Sequence, residues 1–222
     1  MFFPPFLMFF LFICAFLLFL VFSLVQLGVF ALAFRNLGIA PEMLFSLLFL
    51  CIVGSMINIP IRRIPLSYQP EEWETVSFFG MRFRPPRWHQ RDMVLAVNVG
   101  GAIIPTMLSI YLWNKTGTPI RMLIAVAIET FIVYKLARPV PGVGIATPMF
   151  VPPLVAALIA YLVNPQWPAP TAYVAGTLGT LIGADLLKLN QIKQLNAPVA
   201  SIGGAGTFDG IFLTGILAVL LS

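Results

Sequence analysis

The sequence predicts an all-α polytopic membrane protein with about seven transmembrane helices. Composition comes first: 59% of the 222 residues are hydrophobic and only 9% are charged, against about 25% charged in soluble domains. Second, several apolar runs approach or exceed the ~20 residues that a helix needs to cross a bilayer. Third, proline, glycine and basic residues gather between those runs, as they do in connecting loops. In such a protein a net charge of +5 reports orientation and headgroup contact, and nucleic acid is not expected as a partner. Cys14 and Cys51 each lie inside an apolar run and form no metal-ligand spacing, so no metal or other cofactor is expected.

The predicted helices cover about 6–34, 39–59, 93–113, 120–137, 148–163, 171–188 and 204–222, all in a single transmembrane domain. The first begins apolar without a basic n-region and far exceeds a signal-peptide core of about 7–15 residues, so it reads as a retained helix. Arg35-Asn36-Leu37-Gly38 is a turn. Pro41 suits the first position of the second helix, with Glu42 favoured by the dipole in its first turn. Pro60 ends it.

Residues 60–92 form a cytoplasmic interfacial insert. Six arginines (Arg62, Arg63, Arg82, Arg84, Arg87 and Arg91) stand there against Glu71, Glu72, Glu74 and Asp92. Thr75–Phe79 and Met81–Arg84 flank Gly80 with alternating character, which predicts a small hairpin on the membrane surface. Trp73 and Trp88 suit headgroup depth. His89 has no convergent partner in sequence and reads as a surface residue.

The third helix contains Asn98-Val-Gly100-Gly101-Ala-Ile-Ile-Pro105, a composition for close packing or a kinked, partly broken helix. The fourth carries Glu129 at its middle and Lys135 near its end. The stretch 138–148 is too rich in proline and glycine for a helix yet almost uncharged, as expected of a re-entrant loop surrounded by protein. The fifth helix opens near Pro152-Pro153, and 164–170 is an interfacial turn. A polar loop at 189–203 separates the sixth helix from the seventh. On this layout ten of the 13 Lys and Arg fall on the amino-terminal side. The amino terminus would then be cytoplasmic and the carboxyl terminus outside, in a prokaryotic inner membrane.

Carboxylates inside apolar segments are expensive and point to function. Asp185 lies one turn before the end of the sixth helix, and Asp209 lies near the start of the seventh. Antiparallel neighbours would place them at similar depth, near the cytoplasmic face. Of two adjacent carboxyls one keeps a proton, so the pair could act as base and acid on a peptide bond. Gly206, Asp209, Gly210 and Leu213 share a helical face, where an extended substrate could approach. Gly176, Gly179 and Gly183 form a second small-residue face, turned about 200° from Asp185. Glu129, with Asn98 as one possible partner, is the most deeply placed acid.

Several stretches resemble a prokaryotic family of multi-pass membrane proteins of unknown function. They are Ala96–Pro105, Pro141–Ile145 with Pro148 and Pro152-Pro153, Gly183-Ala-Asp185-Leu-Leu, and Gly203–Leu213. More distantly, Asp185 and Gly206-Thr-Phe208-Asp209 resemble the paired aspartates of intramembrane aspartyl proteases of the presenilin and signal-peptide-peptidase type. In that family the first aspartate follows a tyrosine, where Ala184 stands, and the motif has a second glycine, where Phe208 stands.

Two functions are expected, with a structural or assembly subunit as a third, non-catalytic option. One is an intramembrane aspartyl protease-like hydrolase, with Asp185 and Asp209 catalytic and Gly206, Gly210, Asn98 and Glu129 lining the substrate. The other is a small-solute or ion transporter or channel that uses Glu129, Asp185 and Asp209 as proton or cation sites. The partners are the lipid bilayer and either a transmembrane peptide or a small solute.

Overall fold

A computed structural model describes residues 16, 28–29, 31–33, 35–40, 42–65, 76–78, 81–83, 92–140, 144–148, 150–191, 197–204 and 210–221. In chain order the elements are α1 (Glu42–Ser55), β1 (Asn58–Pro65), β2 (Val76–Phe78), β3 (Met81–Phe83) and β4 (Asp92–Asn98). A π-helical turn (Val99–Ile103) leads into α2 (Ile104–Thr116), followed by α3 (Pro119–Leu136), β5 (Arg138–Val140), β6 (Gly144–Ala146) and α4 (Val151–Val163). Then come α5 (Pro168–Thr180), a second π-helical segment (Leu181–Leu186), β7 (Val199–Ile202) and α6 (Gly210–Leu221).

The expected all-α, seven-span fold is therefore overturned. The fold mixes helix and sheet, and one helix among the described residues, Pro168–Gln191, is long and apolar enough to cross a membrane. The other helices are too short or too charged for that test: α1 has 14 residues, α2 and α4 have 13 each, and α6 has 12. α3 reaches 18 residues but includes Arg121, Glu129 and Lys135.

Three apolar or polar stretches turned out to be strands. β4 pairs antiparallel with β1 and parallel with β7, giving a sheet of order β1-β4-β7. Asp92–Asn98 (DMVLAVN) was expected to open the third helix. It is short and holds two valines, which suit a half-buried strand, and Gly100-Gly101 then disfavours helix. Helix α2 starts only at Ile104, with Pro105 in its first turn, where a missing N–H is harmless. Asn58–Pro65 is an edge strand. Edge position explains how it tolerates Pro60 and Pro65, and its register shifts between Pro60 and Arg62. β7 came from the expected polar loop. The proline- and glycine-rich stretch at 138–148 closes into the small hairpin β5–β6, with Gly144 at φ 131°.

The hairpin expected around Gly80 is present as β2 paired with β3, Val76 opposite Phe83 and Phe78 opposite Met81. Trp73, Trp88 and His89 lie outside the described residues, as do Cys14 and most of the first predicted helix. Residues 28–29, 31–33 and 35–36 are helical and a turn follows at Leu37-Gly38, where expected. Lys115 Nζ donates to Gly38 O at 2.6 Å and satisfies one carbonyl of that turn.

Helix α5 is the hub. It packs against α2, α3, α4 and α6, and every described residue from Ala169 to Thr177 is buried. Small residues make this crowding possible. A Cβ on Gly183 would meet Thr130 O at 2.6 Å, and one on Gly215 would meet Tyr173 Cε2 at 2.9 Å. At the opposite end of α5, Asn164 Nδ2 donates to Thr118 Oγ1 and to Thr171 Oγ1, both at 2.9 Å. One side chain thereby ties the start of α3 to the start of α5.

Candidate functional site

The sheet end and the second π-helical segment meet around two Gly-rich turns. Asn98 stands at the centre of one. Its Nδ2 donates to Ser55 O at 2.7 Å and to Asn58 Oδ1 at 3.1 Å. Its Oδ1 accepts from Gly101 N at 2.7 Å. Asn58 Oδ1 also accepts from Ser201 Oγ at 2.5 Å. Every polar hydrogen of the Asn98 amide is used. The residue caps the turn that starts α2 and locks β1, β4, β7 and the end of α1 into one knot, a structural task that leaves no donor free for substrate.

The backbone at that turn approaches closely. A Cβ on Gly54 would meet Gly100 N at 2.9 Å. One on Gly203, at φ +83°, would meet Ala102 Cβ at 2.6 Å and Gly101 C at 2.8 Å. Gly203 is thus wedged against the N-terminal turn of α2, in a left-handed conformation that favours glycine. Gly204 follows, also at positive φ.

Asp185 reaches into this second turn. It is partly buried, and its Oδ2 accepts from Gly203 N at 2.7 Å. It sits in the segment Leu181–Leu186, where Leu187 N donates to Ile182 O at 2.9 Å across five residues. Such π-helical insertions occur often at functional sites, and they re-aim side chains relative to a regular helix. Here Gly183 packs on α3 while Asp185 turns to Gly203. The segment therefore has two partners, which accounts for glycines and carboxylate facing different ways.

Gly206 and Asp209 lie outside the described residues. Gly210 opens α6, directly after Asp209 in sequence. The described geometry thus joins Asp185 to Gly203, six residues before Asp209 in sequence, and it leaves the Asp185–Asp209 pairing untested.

Glu129 lies elsewhere, on the inner face of α3 with Met122, Ala125, Val126 and Val133. It is 0% exposed, and neither carboxyl oxygen has a hydrogen-bond partner. Its expected partner, Asn98, is fully engaged in the knot. Gly179 of α5 lies against it, since a Cβ there would meet Glu129 Cγ at 2.5 Å. Two further residues escaped the sequence reading: Thr130 and Thr180, whose buried hydroxyls also lack partners. A threonine in an apolar helix is an ordinary packing residue in sequence, so only the unmatched oxygens mark them. Lys135 has no described contact with Asp185; its Nζ lies 5.6 Å from the Phe131 ring centroid.

A family model described as "Protein of unknown function (DUF1614)" matches residues 52–221. The chain belongs to that family. The match takes in both Gly-rich turns, Glu129, Asp185 and Asp209. No curated protein and no solved structure matches the chain. None of these comparisons shows the expected likeness to presenilin-type proteases.

Proposed function

We propose that the protein is a membrane-embedded aspartyl hydrolase of the DUF1614 family, with Asp185 and Asp209 as its acid–base pair. The bond from Gly203 N to Asp185 Oδ2 carries this proposal. It anchors the first carboxylate on Gly203, which precedes the second by six residues in sequence. One carboxylate would draw a proton from water while its protonated partner donates to the scissile carbonyl. Gly206 and Gly210 would let an extended peptide backbone lie close to Asp209.

Membrane embedding is supported by the outer faces of the helices. On α4 the inner face is small, with Ala156, Ala157 and Ala160 buried, whereas Leu154, Leu158, Tyr161 and Leu162 are exposed. On α3 the exposed face is Ile120, Leu123, Ile124, Ile128 and Phe131, while Glu129 points inward. Large apolar residues outside and small or polar ones inside suit a lipid surround. Exposed apolar area on this scale is rare on a soluble monomer. The arginines of 60–92 would then meet anionic headgroups on the cytoplasmic side of a prokaryotic inner membrane.

The test is cleavage of a single-span peptide by the purified protein in lipid bicelles, followed by mass spectrometry. Wild type should produce a cut within the hydrophobic stretch, and Asp185→Asn and Asp209→Asn should each lower the rate at least about 100-fold. Cleavage that survives in the double variant, or its absence from folded wild type, would remove the hydrolase assignment.

A further inference from the structure

Helix α3 and the long helix Pro168–Gln191, which begins with α5, run side by side in the same direction. Asn164 ties their starts together, at Thr118 and Thr171. At their far ends, Lys188 Nζ lies 4.2 Å from the centroid of the Tyr134 ring. Lys188 belongs to the last turn of the one described helix long and apolar enough to cross a membrane. It is only 9% exposed. Gly183 closes the seam beside it, since a Cβ there would meet Tyr134 N at 3.1 Å. Five residues, one π-helical repeat, separate Gly183 from Lys188, so both meet α3 while Asp185 turns to Gly203. Among the described residues no carboxylate or carbonyl pairs with the Lys188 ammonium, and the ring face is its contact. Lys115 gives the contrast. Its Nζ also stands over a tyrosine, 5.9 Å from the Tyr111 centroid, but it donates to Gly38 O at 2.6 Å. A ring face offsets only part of the desolvation of an ammonium, which calls for an anion or an acceptor as well.

We propose that Lys188, seated on Tyr134, binds the phosphodiester headgroup of one anionic phospholipid at the seam between α3 and the end of Pro168–Gln191. The ammonium donates to a phosphate oxygen, a charge-assisted bond that supplies the missing counter-charge. Lys135, in the last turn of α3, and Arg138, just beyond it, are exposed at the same end and add to the positive field. Basic pockets between membrane helices recognise lipid headgroups in this way. Two acids stand nearest in sequence, and neither neutralises the seam: Glu129 points inward further along α3, and Asp185 accepts from Gly203 N. Apolar surface adjoins the charge. Phe131, one turn before Tyr134, and Leu186 and Leu187, directly before Lys188, are exposed and offer the acyl chains a surface that a soluble phosphate would leave bare. The inference rests on the membrane-embedded reading and is independent of the hydrolase chemistry.

Native mass spectrometry of the purified protein in detergent tests the site, with phosphatidylglycerol, phosphatidylcholine or glycerol phosphate added at equal concentration. Wild type should retain one phosphatidylglycerol at least about tenfold more tightly than phosphatidylcholine. Lys188→Met should lower that affinity at least about tenfold, and Lys188→Arg should keep it within about threefold. Lys188→Gln should show the same loss, which guards against a methionine variant that misfolds. Arg121→Gln, at the opposite end of α3, should bind as wild type does. In parallel, phosphatidylglycerol should raise the unfolding temperature of wild type and Lys188→Arg and leave that of Lys188→Met unmoved. Equal retention of both lipids by wild type, or undiminished phosphatidylglycerol retention by folded Lys188→Met and Lys188→Gln, would overturn the proposal. Displacement of the lipid by equimolar glycerol phosphate would assign the site to a soluble phosphate and overturn the lipid assignment. Peptide cleavage and recovery in washed membranes are measured separately, so this proposal can fail while the hydrolase and membrane readings stand.

Discussion

Replacing Gly100 with alanine should be the most damaging single-methyl change in the described fold. Its Cβ would press on Cys51 O and Ser55 N, and would lie 2.8 Å from Gly54 C. All three are backbone atoms of α1, so none can rotate away, and contact at about 3.5 Å is restored only by moving the helix by roughly an ångström. That shift pulls Ser55 O away from Asn98 Nδ2, now at 2.7 Å. Overpacking of this kind costs about 1–3 kcal/mol, and a buried hydrogen bond broken with its partners left in place costs about 1–3 kcal/mol more. The helical preference of alanine over glycine offsets at most about 1 kcal/mol. The net loss is on the order of 1–5 kcal/mol, a fall in unfolding temperature of roughly 2–20 °C at about 2–4 °C per kcal/mol for a chain of this size. Thermal unfolding in detergent measures it, with Gly28→Ala as the control because a Cβ there meets nothing within 4 Å. If the unfolding temperature of Gly100→Ala matches that of the control, the close approach of α1 to the α2 entry turn is wrong.

Three further outcomes follow from the same contacts. Asp185→Asn keeps a carbonyl oxygen for Gly203 N and should stay within about 1 kcal/mol of wild-type stability, while Asp185→Ala strands a buried N–H and should lose about 1–3 kcal/mol in denaturant titration. Asn98→Ala removes both donors and the acceptor of the knot and should cost about 2–4 kcal/mol by the same measurement. Leu158→Lys, on the exposed face of α4, should sharply reduce the protein recovered in alkaline-washed membranes, whereas an unchanged yield would argue against lipid at that face.

What the sequence revealed, and what it hid, divides along the range of the interactions. Helix α3 and helix α4 were legible within a few residues because their signals are local: Pro119 and the Pro152-Pro153 pair sit at helix starts, where a rigid φ is favourable. Strands were hidden because each needs a distant partner. Asp92–Asn98 is apolar and continuous with α2, and only pairing to residues 58–65 and 199–202 makes it a strand. Hydropathy counts residues per run and cannot see that pairing. The same limit inflated the span count, since an apolar run reads alike whether it is one long helix or a strand, a turn and a shorter helix.

The candidate site was legible by residue type and illegible by partner. Asp185 and Glu129 were found because a carboxylate in an apolar run is conspicuous, whereas the residues each one meets are distant in sequence. Asn98 belongs to the sheet-end knot, Gly203 N–H is a described partner of Asp185, whose pairing with Asp209 is untested, and Glu129 faces Gly179. Helix α5 and its π-helical extension carry Gly179, which faces Glu129 of α3, and Asp185, six residues or about 9 Å further along the axis. Gly183 lies between them, pinned against Thr130 and Tyr134. A methyl at Gly183 must push α5 away from α3, because Thr130 O at 2.6 Å and Tyr134 N at 3.1 Å are backbone. The displacement would open the seam at Glu129 and shift the carboxylate that holds Gly203. Gly183→Ala should therefore lower stability by about 1–3 kcal/mol and slow peptide cleavage, while Asp185→Asn slows cleavage with stability within about 1 kcal/mol of wild type. If Gly183→Ala leaves both readouts at wild-type levels, the close packing of α5 on α3 does not position Asp185.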